Sequence, residues 1–400
     1  MIPYAKQDII KEDIDAVIEV LNSAWLTQGP VVKKFEDSII GFTGAKYATA
    51  VNSATSALHI ACLAMNVGPG DLVWTSPNTF VASANCALYC GANIDFVDID
   101  PQTYNMSIES LKKKLKNAEK NNKLPKVVIP VHFAGQPCDM VEIYNLSKKY
   151  NFKIIEDASH AIGASYNFIE ENPENPSNKL IQKIKIGSCK HSDITVFSFH
   201  PVKIITTGEG GMAMTNDQNL DARMKLFRTH GVVKDEKFMT HPSDGAWYYQ
   251  QIDLGYNYRM SDIQAAIGFQ QTKRINKYIS RRHSIAEYYD KAFQDVPINI
   301  PWQLPNTYSS YHLYVVTLDE SIDFEQHSRI FNLLRAKGIG VNLHYIPVHT
   351  HPYFESLGFK KGDFPVSENY YKRAISLPMY PILLDVEQDL VVKSIKECFA

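Results

Sequence analysis

Between residues 44 and 157 short apolar runs alternate with helical patterns, and this alternation restricts the fold more than any other feature of the chain. Strand-like runs at 44–51, 72–75, 94–97, 126–131 and 153–156 are separated by helical stretches at 57–65, 79–89, 107–118 and 141–150. Short β-branched runs spaced by one helix each imply a mostly parallel sheet covered by helices on both faces.

The flanks extend this α/β pattern. Residues 11–23 place Ile14, Val17, Ile18 and Leu21 at helical spacing, and a second helix resumes at Val31 after the break from Trp25 to Pro30. Residues 167–185 interrupt the alternation with Glu, Asn, Pro and Lys, a composition expected of an exposed insertion. Two apolar runs follow at 194–199 and 212–214, then a helix over 221–229. Ser261 caps a long helix expected to run past Arg282 into a smaller α+β unit with strands at 311–318 and 341–346. The expected division is an N-terminal arm and large domain over 1–270, and a small domain over 271–400.

Composition narrows the class. A net charge of -2 over 400 residues gives no electrostatic reason for nucleic acid or an anionic membrane as partner. No apolar run nears the roughly 18 residues of a membrane span, and the first residues lack a secretory pattern. Six cysteines without a Cys-x-x-Cys pair read as reduced, buried thiols. The expectation is a soluble cytoplasmic enzyme.

The stretch from Asp193 to Asn216 carries the first chemical signal. An apolar strand is stopped by Pro201, and a lone lysine, Lys203, follows before Thr206-Thr207-Gly208-Glu209-Gly210-Gly211 and a second strand. A lysine between two buried strands loses solvation, so its pKa falls and the neutral amine needed for Schiff-base chemistry becomes available. Taken alone, a surface loop is the commoner home for a lysine.

Other segments supply matching parts. Ser53-Ala54-Thr55-Ser56 lies between a strand and a helix, where free N–H groups and hydroxyls bind anions, although plain helix capping explains it equally. Asp157 ends a parallel strand, where it would meet a cation such as a protonated pyridine nitrogen; His160 follows three residues on. Phe80 can lie against an aromatic ligand or pack in the core. His344, His349 and His351 lack a completing carboxylate or cysteine, so no metal site is expected. No Gly-x-Gly-x-x-Gly or Walker loop is present. An anion-binding helix start, a strand-end aspartate and a later lysine are together what pyridoxal 5'-phosphate requires.

Taken together, Leu26-Thr27-Gln28-Gly29, the segments 52–58, 156–163 and 197–211, and 255–266 resemble the DegT/StrS-type nucleotide-sugar aminotransferases of the fold-type I pyridoxal phosphate enzymes. Within that family 52–58, Phe197-Ser198-Phe199-His200 and Ile205-Thr206-Thr207 look most like the transaminases of pseudaminic acid biosynthesis. Those form UDP-4-amino-4,6-dideoxy-N-acetyl-β-L-altrosamine from a UDP-linked 4-keto sugar with L-glutamate as donor. The resemblance implies a seven-stranded-type sheet and a homodimer with shared active sites. It makes Lys203 the Schiff-base lysine and proton carrier, Asp157 the ring-nitrogen partner, and His160 and Phe80 ring contacts. Ala54, Thr55 and Ser198 match phosphate contacts, and Asn257 matches the phosphate contact lent by the neighbouring subunit. Arg259 matches a carboxylate donor, while Tyr4, Thr27, Gln28, His312, His344 and Tyr345 fall in segments that line the sugar-nucleotide pocket. The 167–186 insertion departs from the family pattern.

The implied reaction is a ping-pong transamination through the pyridoxamine 5'-phosphate form. Rival readings are another dTDP- or GDP-linked keto sugar aminated at C3 or C4, a sugar dehydratase of the same fold, and a non-catalytic cofactor-binding protein. The dehydratase pattern replaces the lysine with histidine, so Lys203 opposes it.

Overall fold

The computed structural model describes residues 1–171 and 179–399. Its centre is a seven-stranded sheet of β1 (Tyr47–Val51), β2 (Leu72–Thr75), β3 (Asn93–Phe96), β4 (Val127–Ile129), β5 (Lys153–Asp157), β6 (Ile194–Ser198) and β7 (Gly211–Thr215). The spatial order is β1-β7-β6-β5-β4-β2-β3. Neighbours from β6 through β3 are parallel, and β7 runs antiparallel to both β6 and β1.

Adjacent strand residues face opposite layers. Val128, Ile154 and Phe197 enter one apolar cluster with Phe35, Ile39 and Ile143. Val127, Ile129, Ile155 and Val196 enter the other, with Leu58, Ile60 and Ala61 of the helix Ala54–Ala64. Covering both faces is why these strands read as unbroken apolar runs. The mostly parallel sheet and its helical layers are as the alternation predicts.

Three local expectations are corrected or refined. The long helix capped by Ser261 is two helices, Asp262–Thr272 and Ile275–Ala292. The second of them spans two cores: Ile275 and Ile279 pack with the sheet, Ile285 and Tyr289 with the C-terminal unit. Residues 341–346 do not form a strand. The strand there is Ile339–Gly340, and it pairs in parallel with Ile2–Pro3 of the N-terminal arm. The insertion is exposed as expected, with Leu180 and Ile181 open to solvent, but it is regular: Ser165–Glu171 and Lys179–Lys185 form an antiparallel hairpin, which Thr307–Tyr308 joins as a third strand. Tyr166 and Ile184 face inward from it into the sheet core, an alternation hidden by the polar residues between. Residues 172–178 of that insertion lie outside the described residues.

The N-terminal helix Lys11–Leu21 buries Asp13, Ala16 and Val20, leaving Ile14, Ile18 and Leu21 exposed. Its apolar stripe therefore faces away from the rest of the chain. The C-terminal unit packs the antiparallel strands Ile298–Asn299, Tyr314–Leu318 and Ala374–Leu377 against helices.

Candidate active site

The C-terminal ends of β1, β4, β5 and β6, with the start of β7, border one cavity of about 360 Å³. Open α/β sheets bind ligands at this edge. Lys203, Asp157, His160, Ser198, Ala54, Thr55, Phe80, Tyr4, His312, His344 and Tyr345 all line it.

Asp157 ends β5 and is 5% exposed. Its carboxylate accepts from Ser83 Oγ at 2.6 Å and from the Ser159 N–H at 3.1 Å. Thr79 Oγ1 lies 2.7 Å from that serine hydroxyl, so the carboxylate is held by a short polar relay. Lys203 sits in the turn after β6, its N–H donating to His200 O. Burial pulls the Lys203 amine down to about 8, against an opposing pull from Asp157. Desolvation thus outweighs the nearby carboxylate, and the amine is partly neutral near pH 7.

At another wall, Ser53 caps the helix Ala54–Ala64 by accepting from the Ser56 N–H at 3.1 Å. The N–H groups of Ala54 and Thr55, in the first turn, have no intrahelical acceptors and carry the positive end of the helix dipole. Gly211 lies opposite Val51 and Ser198 in the sheet. A Cβ on Gly211 would come within 2.5 Å of Ala54 N and Ser53 C. Only glycine lets β7 pass so near this turn.

The remaining walls come largely from outside the sheet. His160 Nδ1 accepts the Ala134 N–H at 3.3 Å, so the ring proton sits on Nε2, which lies 3.0 Å from Tyr345 Oη. Burial, then the charge of Lys203, holds His160 neutral, well below its usual range. Its proton is therefore donated to Tyr345, whose own hydroxyl proton is left for the cavity. The His312 ring centroid lies 4.3 Å from that of His160, and His312 Nδ1 is buried without a partner. Burial, with His160 next, pushes His312 well below its usual range as well. His344 Nδ1 lies 2.8 Å from Ser376 Oγ, and burial lowers it to about 3. Phe80 precedes the helix Ala82–Tyr89, is 60% exposed, and borders the cavity rather than packing in the core.

Four anticipated site residues are not in this cavity. Gln28 and Arg259 border a separate cleft with Glu36 and Arg228. Thr27 pairs with Ser261, and Asn257 is an exposed residue paired with Thr229. Among the described residues no cluster of three or more His, Cys, Asp or Glu side chains is arranged to hold a metal.

The family model of the DegT/DnrJ/EryC1/StrS aminotransferases matches residues 7–396. The chain belongs to this family. As a member it is a pyridoxal phosphate-dependent sugar aminotransferase of nucleotide-sugar biosynthesis. It is 38% identical over 399 residues to the spore coat polysaccharide biosynthesis protein SpsC of Bacillus subtilis, covering 99% of this chain and 96% of the relative. It is 36% identical over 383 residues to a Campylobacter jejuni UDP-4-amino-4,6-dideoxy-N-acetyl-beta-L-altrosamine transaminase, covering 95% and 93%. Among solved structures it superposes on Helicobacter pylori PseC, an aminotransferase of pseudoaminic acid biosynthesis, with TM-score 0.87 and 32% identity over 100% and 99% of the two chains. The sugar aminotransferase Spr1654 of Streptococcus pneumoniae, solved in pyridoxal and pyridoxamine phosphate forms, gives TM-scores of 0.85 and 0.86 at 28% identity, covering at least 98% of both chains.

The DegT-family cofactor fits the residues present. A lysine of lowered pKa faces the cavity with a fixed carboxylate, and a capped helix start offers N–H donors beside Ser198. Several supporting residues carry no signal in the sequence. Ser83 and Thr79 behind Asp157 are ordinary helix-start hydroxyls, and Asn78, whose Oδ1 accepts the Tyr345 N–H at 3.2 Å, is 267 positions from its partner. Gly210-Gly211 was the one available signal, since paired glycines before a strand mark a close backbone approach.

Proposed function

We propose that this aminotransferase moves the amino group of L-glutamate to C4 of a UDP-linked 4-keto-6-deoxy-N-acetylhexosamine, giving UDP-4-amino-4,6-dideoxy-N-acetyl-β-L-altrosamine. The observation that carries the reading is the pairing of Lys203 with the buried, doubly hydrogen-bonded Asp157 in one cavity. Similarity to the Campylobacter transaminase and to PseC supports the choice of sugar. The 38% identity to SpsC favours, as second reading, a different keto-sugar nucleotide.

When bound, pyridoxal phosphate supplies an aldehyde that takes up an amine and a protonated ring that draws electrons from the adjoining carbon. Asp157 keeps the ring nitrogen protonated by opposite charge, and Ser83 and Ser159 stop it turning away. The Ala54 and Thr55 N–H groups and the Ser198 hydroxyl hold the phosphate. Burial lowers the Lys203 pKa to about 8 in the cofactor-free chain, which favours the neutral amine. That neutral amine would take the proton from glutamate Cα and pass it to the carbon that carried the aldehyde, and one water would supply the keto oxygen with which 2-oxoglutarate leaves. In the second half the sugar's keto oxygen would depart as the water that the first half consumed, Lys203 would return a proton to C4, and the Lys203 amine would then displace the amino sugar. Tyr4, His312 and His344 are the neutral groups of the sugar wall.

A homodimer belongs to this reading. The exposed Ile14, Ile18, Leu21 and Trp25 are 52%, 49%, 55% and 56% accessible, a stripe suited to a second copy. Asn257 and Arg259, outside their own chain's cavity, serve the partner's site.

The test is an absorption spectrum of the purified protein, followed by L-glutamate and then the keto-sugar nucleotide. A yellow protein that bleaches with glutamate and regains colour with the UDP-linked 4-keto sugar establishes both half-reactions. Colour restored only by another keto-sugar nucleotide selects the second reading; no response to glutamate overturns aminotransfer from that donor.

A further inference from the structure

Arg282, in the helix Ile275–Ala292, is 1% exposed and, among the described residues, faces no carboxylate. Its guanidinium Nη1 donates instead to three backbone carbonyls, those of Tyr311 at 3.0 Å, His312 at 3.0 Å and Met379 at 2.9 Å. The Nε–H finds no partner. Burial alone pulls its pKa down to about 9, which leaves it charged near neutral pH. A buried cation without an anion bears a desolvation penalty that an apolar side chain of similar length avoids. What Arg282 holds accounts for its presence.

It holds a segment under strain. Tyr311 stands in the left-handed region at φ 46°, a conformation unfavourable for a bulky residue. From the opposite side the loop after β4 grips the same segment. The Ser310 N–H donates to Gly135 O at 3.0 Å and the Leu313 N–H to Ala134 O at 3.2 Å. His312 is clamped between that loop and the guanidinium, and its ring reaches the cavity beside His160. The third carbonyl extends the hold, because the Met379 N–H donates to Tyr4 O at 3.0 Å. One guanidinium therefore ties together the backbones that present His312 and Tyr4. None of its bonds reaches the sheet-edge residues assigned to the cofactor.

We propose that Arg282 is a positioning residue for the keto-sugar half of the reaction, setting His312 and Tyr4 at the cavity wall through the three carbonyls it binds. This rests on the reading that the sugar nucleotide occupies that wall. All three carbonyls meet the one nitrogen Nη1, held in place by the rigid guanidinium plane at the end of the arginine stem; a lysine ammonium on a shorter, freely turning stem matches this only in part.

The experiment compares Arg282→Met and Arg282→Lys with the wild-type holoenzyme in separate half-reactions. Bleaching by L-glutamate should stay within about twofold of wild type in both variants. The rate constant over KM for recolouring by a keto-sugar nucleotide should fall by about 100-fold in Arg282→Met, the size expected when a contact residue shifts by about 1 Å. Arg282→Lys should recover part of that loss. Equal losses in both half-reactions, or no loss, overturn the proposal. A second readout separates it from the functional reading and needs no sugar. In histidine-labelled holoenzyme the ring NMR signals of His312, assigned with His312→Gln, should move in Arg282→Lys, while those of His59, which packs among Tyr89, Tyr256 and Tyr258, stay fixed. Unmoved His312 signals overturn the positioning role. A wild type that accepts no keto-sugar nucleotide overturns the functional reading alone, since the NMR result stands apart from it. If Arg282→Met fails to fold, Arg282→Lys carries both measurements.

Discussion

Replacing Lys203 with methionine separates what the lysine costs the fold from what it gives the reaction. The folded apoprotein holds the amine at about 8, against 10.5 for an ordinary lysine. Below pH 8 both folded and unfolded chains are protonated at this site, and the folded state bears the full penalty of a desolvated charge. That gap corresponds to about 3 kcal/mol, reduced to about 1–3 kcal/mol because the side chain is only half-buried and meets cavity water. Between pH 8 and 10.5 the unfolded chain binds the extra proton, so this component of stability rises with pH and the penalty is gone above 10.5. Lys203→Met keeps the stem and removes the charge. The apo variant should therefore melt about 2–4 °C above wild type at pH 7, and its advantage should shrink to less than half at pH 9.5. Taking the difference between the two proteins cancels the tyrosines and cysteines that titrate in the same range. The same variant should show no steady-state transamination. A variant no more stable than wild type at pH 7, or with an advantage equal at both pH values, would refute the desolvation argument; normal turnover would refute the catalytic role.

Asp157→Asn should retain colour with pyridoxal phosphate but lose about 100- to 1,000-fold in turnover, since it removes the charge that keeps the ring protonated. In that variant the limb of the pH–rate profile set by Lys203 should move to lower pH, because Asp157 is the group that raises the lysine. Gly211→Ala puts a methyl within 2.5 Å of the Ala54 and Ser53 backbone. It should cost about 1–3 kcal/mol of stability and weaken pyridoxal phosphate binding measured by titration, and unchanged affinity would show that the turn has room to give. Ile18→Glu, on the exposed stripe of the first helix, should sediment as a monomer and lose activity, while a dimeric, active variant would place the interface elsewhere.

The sheet was readable because its chemistry is local. Strands buried on both faces must be apolar throughout, and each crossover writes its own helical period, so the order and type of elements from Tyr47 to Asp157 follow from neighbouring residues. Lys203, Asp157, Ala54 and Thr55 were readable for a related reason: each sits at a strand end or helix start, and parallel topology brings those ends to one edge. What failed was decided at a distance. The break between Thr272 and Ile275 follows a helix that must serve two cores, and Ile339–Gly340 is a strand only because Ile2–Pro3 lies beside it. The apolar stripe of the first helix gave no sign of which side would stay uncovered.

The site divides in the same way. The residue types that can bind the cofactor were determined by the sequence itself, because a desolvated lysine and a strand-end carboxylate have few other uses in combination. Only the tertiary structure decided that Ser83 orients Asp157, that the Ala134 N–H sets the tautomer of His160, and that Arg282 anchors His312. These contacts join residues 74, 26 and 30 positions apart. A hydrogen bond across such a gap exists only once packing has brought donor and acceptor within about 3 Å, and no local pattern records it.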